Sequence, residues 1–158
     1  MANIYHQVLI PADRQTVYDA LTSQAGLSKW WIANCKVKAE VGFVNEFHLE
    51  EHGTNYMKVQ ALVPNTFVEW ECVNTDNPWA GTHVTFSLSD RGRYTCLDFK
   101  QTGYTAEDEF YATCNYHWAR HLFMLKGLCE TGISLLDKKQ EEKECKAVFE
   151  NREGSSAT

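Results

Sequence analysis

Between Cys35 and Gln101 apolar and polar positions alternate with a period of two, and from Thr105 the period lengthens to three or four. The first pattern is that of half-buried strands, the second that of an amphipathic helix. Val68, Trp70 and Cys72 fall on one face while Glu69 and Glu71 fall on the other. Met57, Val59 and Ala61 oppose Lys58 and Gln60; Val84, Phe86 and Leu88 oppose Thr85, Ser87 and Ser89; Leu97 and Phe99 oppose Asp98 and Lys100. Strands are expected at about 35–40, 43–50, 55–62, 66–73, 82–89 and 93–101. Turn-forming stretches separate them at Val41-Gly42, His52-Gly53-Thr54, Pro64-Asn65, Asn74 to Gly81 and Asp90-Arg91-Gly92. Connections this short imply hairpins, hence an antiparallel meander with one apolar and one wet face.

Two further regions frame the meander. Ile4 to Ile10 reads as a strand ended by Pro11, after which Asp13 can cap a short helix with Val17 and Leu21 on its inner side. Thr22 or Ser23 can cap a second short helix that runs to Trp30-Trp31, with Gly26 inside it. At the other end Phe110, Tyr111, Cys114, Trp118, Leu122, Leu125, Leu128 and Cys129 form one stripe. A helix is expected over about 105–136, roughly eight turns or more. Thr105 is its candidate N-cap, with Glu107, Asp108 and Glu109 in the first turn and Gly127 or Gly132 near its end. Such a helix needs a surface to lie against, and the apolar face of the sheet is that surface.

Composition narrows the class. The chain has 158 residues, which fits one domain, expected over 1–140, and the charged, polar remainder, 141–158, is expected to be flexible. A net charge of -6 without a basic cluster beyond Lys138-Lys139 argues against nucleic acid as a partner. No apolar run approaches the ~20 residues of a membrane span, and the N-terminus has no secretory pattern. The six cysteines form no CxxC, so reduced thiols acting as small core fillers in a cytoplasmic protein are expected.

The element order, with four short motifs in sequence, resembles the helix-grip fold of the START and birch-pollen-allergen superfamily. The motifs are Ile10-Pro11-Ala12 followed by Val17-Tyr18-Asp19-Ala20-Leu21-Thr22; Leu27-Ser28-Lys29-Trp30-Trp31; Trp70-Glu71-Cys72; and His117-Trp118 with Leu122, Leu125, Lys126, Leu128 and Gly132. The branch most similar to this chain is that of heat-shock-chaperone ATPase activator homologues, grouped with polyketide cyclase-like proteins. That pattern usually places Gly before the helix Trp, where this chain has His117. The resemblance implies an α+β fold: a curved antiparallel sheet of about seven strands wrapped around a long C-terminal helix, with an apolar cavity between them. It does not select one activity, because members bind lipids, carry hydrophobic ligands, cyclise polyketides or assist a chaperone.

Candidate chemistry is sparse. His117 and His121 are spaced i, i+4 and can chelate a divalent cation, but the segment HWARH lacks the Glu of a metalloprotease helix and no third ligand is fixed by spacing. His117 is instead expected as a polar group on a cavity wall, and no metal or cofactor is expected. Glu46, Glu69, Glu71 and Asp98 face outward on the alternation, so no inward carboxylate is evident for acid/base work. GxGxxG, GxxxxGK[ST] and GxSxG are absent.

The bulky side chains carry the remaining signal. An empty apolar pocket of roughly 300 Å3 would cost about 7 kcal/mol at about 24 cal/mol per Å3, against total stabilities of about 5–15 kcal/mol. Aromatic side chains, water or a ligand must therefore fill the grip, and a small or medium cavity is expected. The expected function is binding of a small hydrophobic or aromatic molecule. Its expected lining is Trp30, Phe47, Met57, Trp70, Trp79, Phe86, Phe99, Tyr111, His117, Trp118, His121 and Leu122, with the loop of Pro78 and Trp79 as rim. A cyclase or aromatase using the same cavity is the alternative, a co-chaperone-like interaction protein is a third, and a homodimer remains open.

Overall fold

The structure is a computed structural model that describes residues 2–49 and 53–136; the expected tail, 141–158, lies outside the described residues. Seven strands form one antiparallel sheet: β1 (Ala2–Ile10), β2 (Cys35–Lys36), β3 (Val44–Leu49), β4 (Gly53–Val63), β5 (Phe67–Cys72), β6 (His83–Arg91) and β7 (Tyr94–Tyr104). Their spatial order is β1-β7-β6-β5-β4-β3-β2, so β2 to β7 meander through hairpins and β1 closes the far edge against β7. α1 (Arg14–Thr22) and α2 (Gln24–Trp30) intervene between β1 and β2, and α3 (Glu109–Thr131) lies across the concave face. This is the curved-sheet, long-helix arrangement expected from the sequence.

Local chemistry accounts for the boundaries. Asp13 caps α1 by accepting from the Thr16 N–H at 2.7 Å, and Ser23 caps α2 by accepting from the Gly26 N–H at 3.0 Å. The Asp13 carboxyl lies below its usual range because the Thr16 side chain, and then the Thr16 N–H, donate to and favour the anion. Gly26 is required by packing: a Cβ there would lie 2.6 Å from the Ala20 Cα, where α1 and α2 meet.

Three boundaries and one face differ from the sequence reading. The strand expected from Cys35 spans only Cys35–Lys36. The long helix starts later and stops earlier, with 23 residues and a length of about 35 Å. Asp108 is its cap, accepting from the Tyr111 N–H at 2.9 Å, so Thr105 and Glu107 belong to the connection from β7. Gly132, at φ 75°, ends the helix by donating its N–H to the Leu128 carbonyl, a conformation that β-carbon-bearing residues resist. In β4 the register slips between Val59 and Ala61, so Gln60 is an extra residue and Ala61 pairs with Glu69 on the wet side. Leu62, opposite Val68, takes the inner place that simple alternation assigned to Ala61.

The inner face of the sheet is buried as the alternation requires: Val68, Trp70, Cys72, Val84, Phe86, Leu88, Leu97 and Phe99 are all core. Against them α3 buries Cys114, Trp118, His121, Leu122, Met124 and Leu125. The outward carboxylates are tied to the wet face. Glu71 accepts from Gln60, Glu69 lies 3.1 Å from His83, and Asp98 accepts from the Tyr5 hydroxyl at 2.8 Å.

Candidate functional site

The space between sheet and helix has two ends of different character. Toward the middle of the sheet, aromatic rings interlock. Trp70 meets Phe86 edge to face at 5.2 Å, Phe86 meets Phe99 at 5.4 Å, and Phe47 lies 5.7 Å from Trp70. Trp30 closes this region from α2, edge-on to Phe86, with its indole N–H donated to the Ala20 carbonyl at 2.8 Å. Met57 and Leu122 complete a fully buried fill.

At the other end a cavity of about 450 Å3 opens to solvent. Its inner wall is the N-terminal half of α3, through Phe110, Thr113, Cys114, His117, Trp118 and His121. Trp31 and Ile32 enter from the end of α2, and Asn74 to Trp79 form the rim from the β5–β6 connection. Leu49 and Gly53 to Asn55 bound it from the β3–β4 side. Of the twelve expected lining residues, Trp79, His117, Trp118 and His121 stand in this wall. Trp30, Phe47, Met57, Trp70, Phe86, Phe99 and Leu122 pack in the closed interior instead, because their facing partners are equally bulky. Tyr111 lies beside the cavity, edge-on to Tyr104, with its hydroxyl donated to the Asn3 carbonyl at 2.7 Å.

Among the wall residues outside the expected set, Trp31 brings the largest ring. Adjacent residues leave a helix in different directions, and α2 ends at Trp30, so Trp31 turns away into the opening. There it stacks on Trp118 at 4.9 Å and on Trp79 at 6.3 Å, while Trp79 and Trp118 are 5.9 Å apart. The three indole planes lie within 25° of one another; Trp31 and Trp118 are 5% and 2% exposed and edge the cavity, while half-buried Trp79 presents more of its surface to it.

A buried polar knot behind these rings sets their positions. Gln101 is 0% exposed, and its carboxamide oxygen accepts from the Trp118 indole N–H at 2.7 Å and from the Tyr104 hydroxyl at 2.5 Å. Its amide donates to the Thr82 hydroxyl at 3.1 Å, which in turn donates to the Trp79 carbonyl at 2.7 Å. One carboxamide thus couples α3 to the rim loop. Gln101 escaped the sequence reading, although it continues the inward alternation of Leu97 and Phe99 and so was legible as a polar residue facing the core. Burial, with Cys114 as the next cause, holds the Tyr104 phenol far above its usual range, so it remains a donor.

The histidines supply the polar side of the wall. His121 is 3% exposed and its Nδ1–H donates to the His117 carbonyl at 2.7 Å. The two rings are stacked at 6.2 Å. No group of three or more metal-ligating side chains occurs among the described residues. Asp76, exposed on the rim, is the one carboxylate among the described lining residues. The cysteines Cys35, Cys72, Cys96, Cys114 and Cys129 are free thiols. Burial pushes the Cys129 thiol up to about 12, which suppresses the nucleophilic thiolate. No described helix is long and apolar enough to cross a membrane.

The profile of the Activator of Hsp90 ATPase homolog 1-like protein family matches residues 11–130. The solution structure of the Aha1 dimer from Colwellia psychrerythraea is 34% identical, with a TM-score of 0.76, over 84% of this chain and 98% of that one. Protein MLL2253 from Mesorhizobium loti shares the fold at 21% identity and a TM-score of 0.72, over 80% of this chain and 96% of that one. DynU16, a protein of the dynemicin biosynthetic locus, shares it at 16% identity and a TM-score of 0.70, over 84% of this chain and 48% of that one. No functionally curated protein matches the sequence.

Proposed function

The chain belongs to the Activator of Hsp90 ATPase homolog 1-like family, and from that premise we propose that it binds a small, flat hydrophobic or aromatic molecule in the open cavity. The observation that carries the reading is the alignment of Trp31, Trp79 and Trp118 along one 450 Å3 space. Indole faces in an opening are wetted poorly, and a bicyclic ring that buries ~200 Å2 there gains about 5 kcal/mol before the cost of immobilisation. His117, His121 and the rim asparagines Asn55, Asn74 and Asn77 form the polar part of the cavity lining. A mostly apolar pocket with a few convergent polar groups is the usual form of a small-molecule site.

A cyclase-like reaction in the same cavity is the second reading. It is favoured by His121, a buried imidazole in the cavity wall, the type of side chain most often used for proton transfer, held in place by donation of its Nδ1–H to the His117 carbonyl. Pairing of two copies belongs to the same proposal, because the Colwellia psychrerythraea relative is a dimer.

Titration with anilinonaphthalene sulfonate and a panel of planar phenols and aromatic acids, read by tryptophan quenching and thermal shift, tests the binding. Trp79→Ala is expected to weaken the tightest ligand about tenfold or more, as loss of an aromatic anchor does. No response to any compound, or an affinity indifferent to Trp79→Ala, would overturn the reading. Mass spectrometry of the recovered ligand separates the two functions: unchanged mass supports binding, a changed or cyclised product supports catalysis.

A further inference from the structure

The inner side of α3 is fully used by the sheet and the cavity, yet its outer side carries a second ordered pattern. Glu109, Ala112, Tyr116, Ala119, Phe123 and Lys126 are spaced three, four, three, four and three apart. That is the spacing of a helix seam that packs against another helix at a shallow left-handed crossing. Tyr116 and Phe123 are 62% and 66% exposed, and Glu109, Ala112 and Ala119 are exposed as well. Scattered exposed apolar side chains need no explanation, but two rings alternating with two alanines on one seam form a shape.

We propose that this face of α3 is the surface on which two copies of the chain pair, with the helices antiparallel. The occupant follows from self-complementarity. Across a two-fold axis passing between residues 117 and 118, Tyr116 lies over Ala119 of the second copy and Phe123 over its Ala112. In the same register Glu109 faces Lys126 of the second copy at both ends. Each large side chain meets a small one and each charge meets its opposite, as an isologous interface demands. A parallel pair would set ring on ring, Glu109 on Glu109 and Lys126 on Lys126, so the pattern selects the antiparallel arrangement. One helix pair is smaller than a standard interface of ~1,200–2,000 Å2, so the dimer dissociates on dilution.

This inference rests on the pairing reading above for the oligomeric state, but the face and register come from α3 itself. Sedimentation equilibrium of the full chain over a range of concentrations tests it. Phe123→Glu is expected to raise the dimer dissociation constant at least about tenfold while leaving the far-ultraviolet circular dichroism unchanged, since Phe123 is exposed in the single chain. Glu109→Lys alone is expected to weaken pairing a few-fold, and Glu109→Lys with Lys126→Glu to restore it, because only the stated register joins those positions. A wild-type chain that dimerises equally well as Phe123→Glu would overturn the face and leave pairing intact. A wild-type chain that stays monomeric at every concentration would overturn both, and assign the stripe to the chain's own residues 137–158 or to a foreign partner.

Discussion

The closed and open ends of the grip use the same residue type to opposite effect. In the closed interior Trp70, Phe86 and Phe99 meet edge to face from neighbouring strands, and Phe47 packs tilted on Trp70, so that no room is left. At the open end Trp31, Trp79 and Trp118 are nearly coplanar in orientation and border a 450 Å3 cavity. The difference lies in what supplies the opposing wall. Strands in regular register set their inner rings side by side under the helix, whereas at the open end Trp31 packs inward on Phe47 at 4.4 Å and the β5–β6 loop brings only Trp79 to the outer side. The grip is therefore a core where the sheet is regular and a pocket where loops replace strands.

Substitutions at the two ends should separate on that ground. Phe86→Ala, in the closed interior, is expected to cost about 3–5 kcal/mol in urea unfolding, a large part of a typical total of about 5–15 kcal/mol. Gln101→Leu tests the knot between the ends. It leaves the Trp118 N–H and the Tyr104 O–H buried without their acceptor, at about 1–3 kcal/mol per orphaned group. A lower urea midpoint at unchanged slope is the expected signature. Trp79→Ala, half-buried on the rim, is expected to cost about 1 kcal/mol or less while weakening ligand binding about tenfold or more. A Trp79→Ala variant as unstable as Phe86→Ala would erase the contrast and make the open end part of the core.

Much of the architecture is legible in the chain because it rests on short-range periodicity. Alternation around Trp70, Phe86 and Phe99 assigns an inner face wherever register is regular, and Asp13 and Ser23 announce their helices by side chains that satisfy N–H groups a few residues away. The same logic reaches part of the candidate site. Trp79, His117, Trp118 and His121 were expected near a ligand and stand in the cavity wall. The outer seam of α3 is also written in the sequence as a 3-4 repeat, although it becomes visible only once the inner face is known to be occupied.

Tertiary structure decided the rest. Whether Trp30 or Trp31 enters the opening depends on where α2 stops, and the Gln60 bulge in β4 hands an inner position from Ala61 to Leu62. Whether an inward aromatic is core or wall depends on what faces it across the grip: Phe99 is met by Trp118, His6 and Phe86, while Trp79 borders open space. Periodicity along a chain reports which way a side chain points. Only the packing of distant segments determines what it points at, and the cavity exists because here that partner is missing.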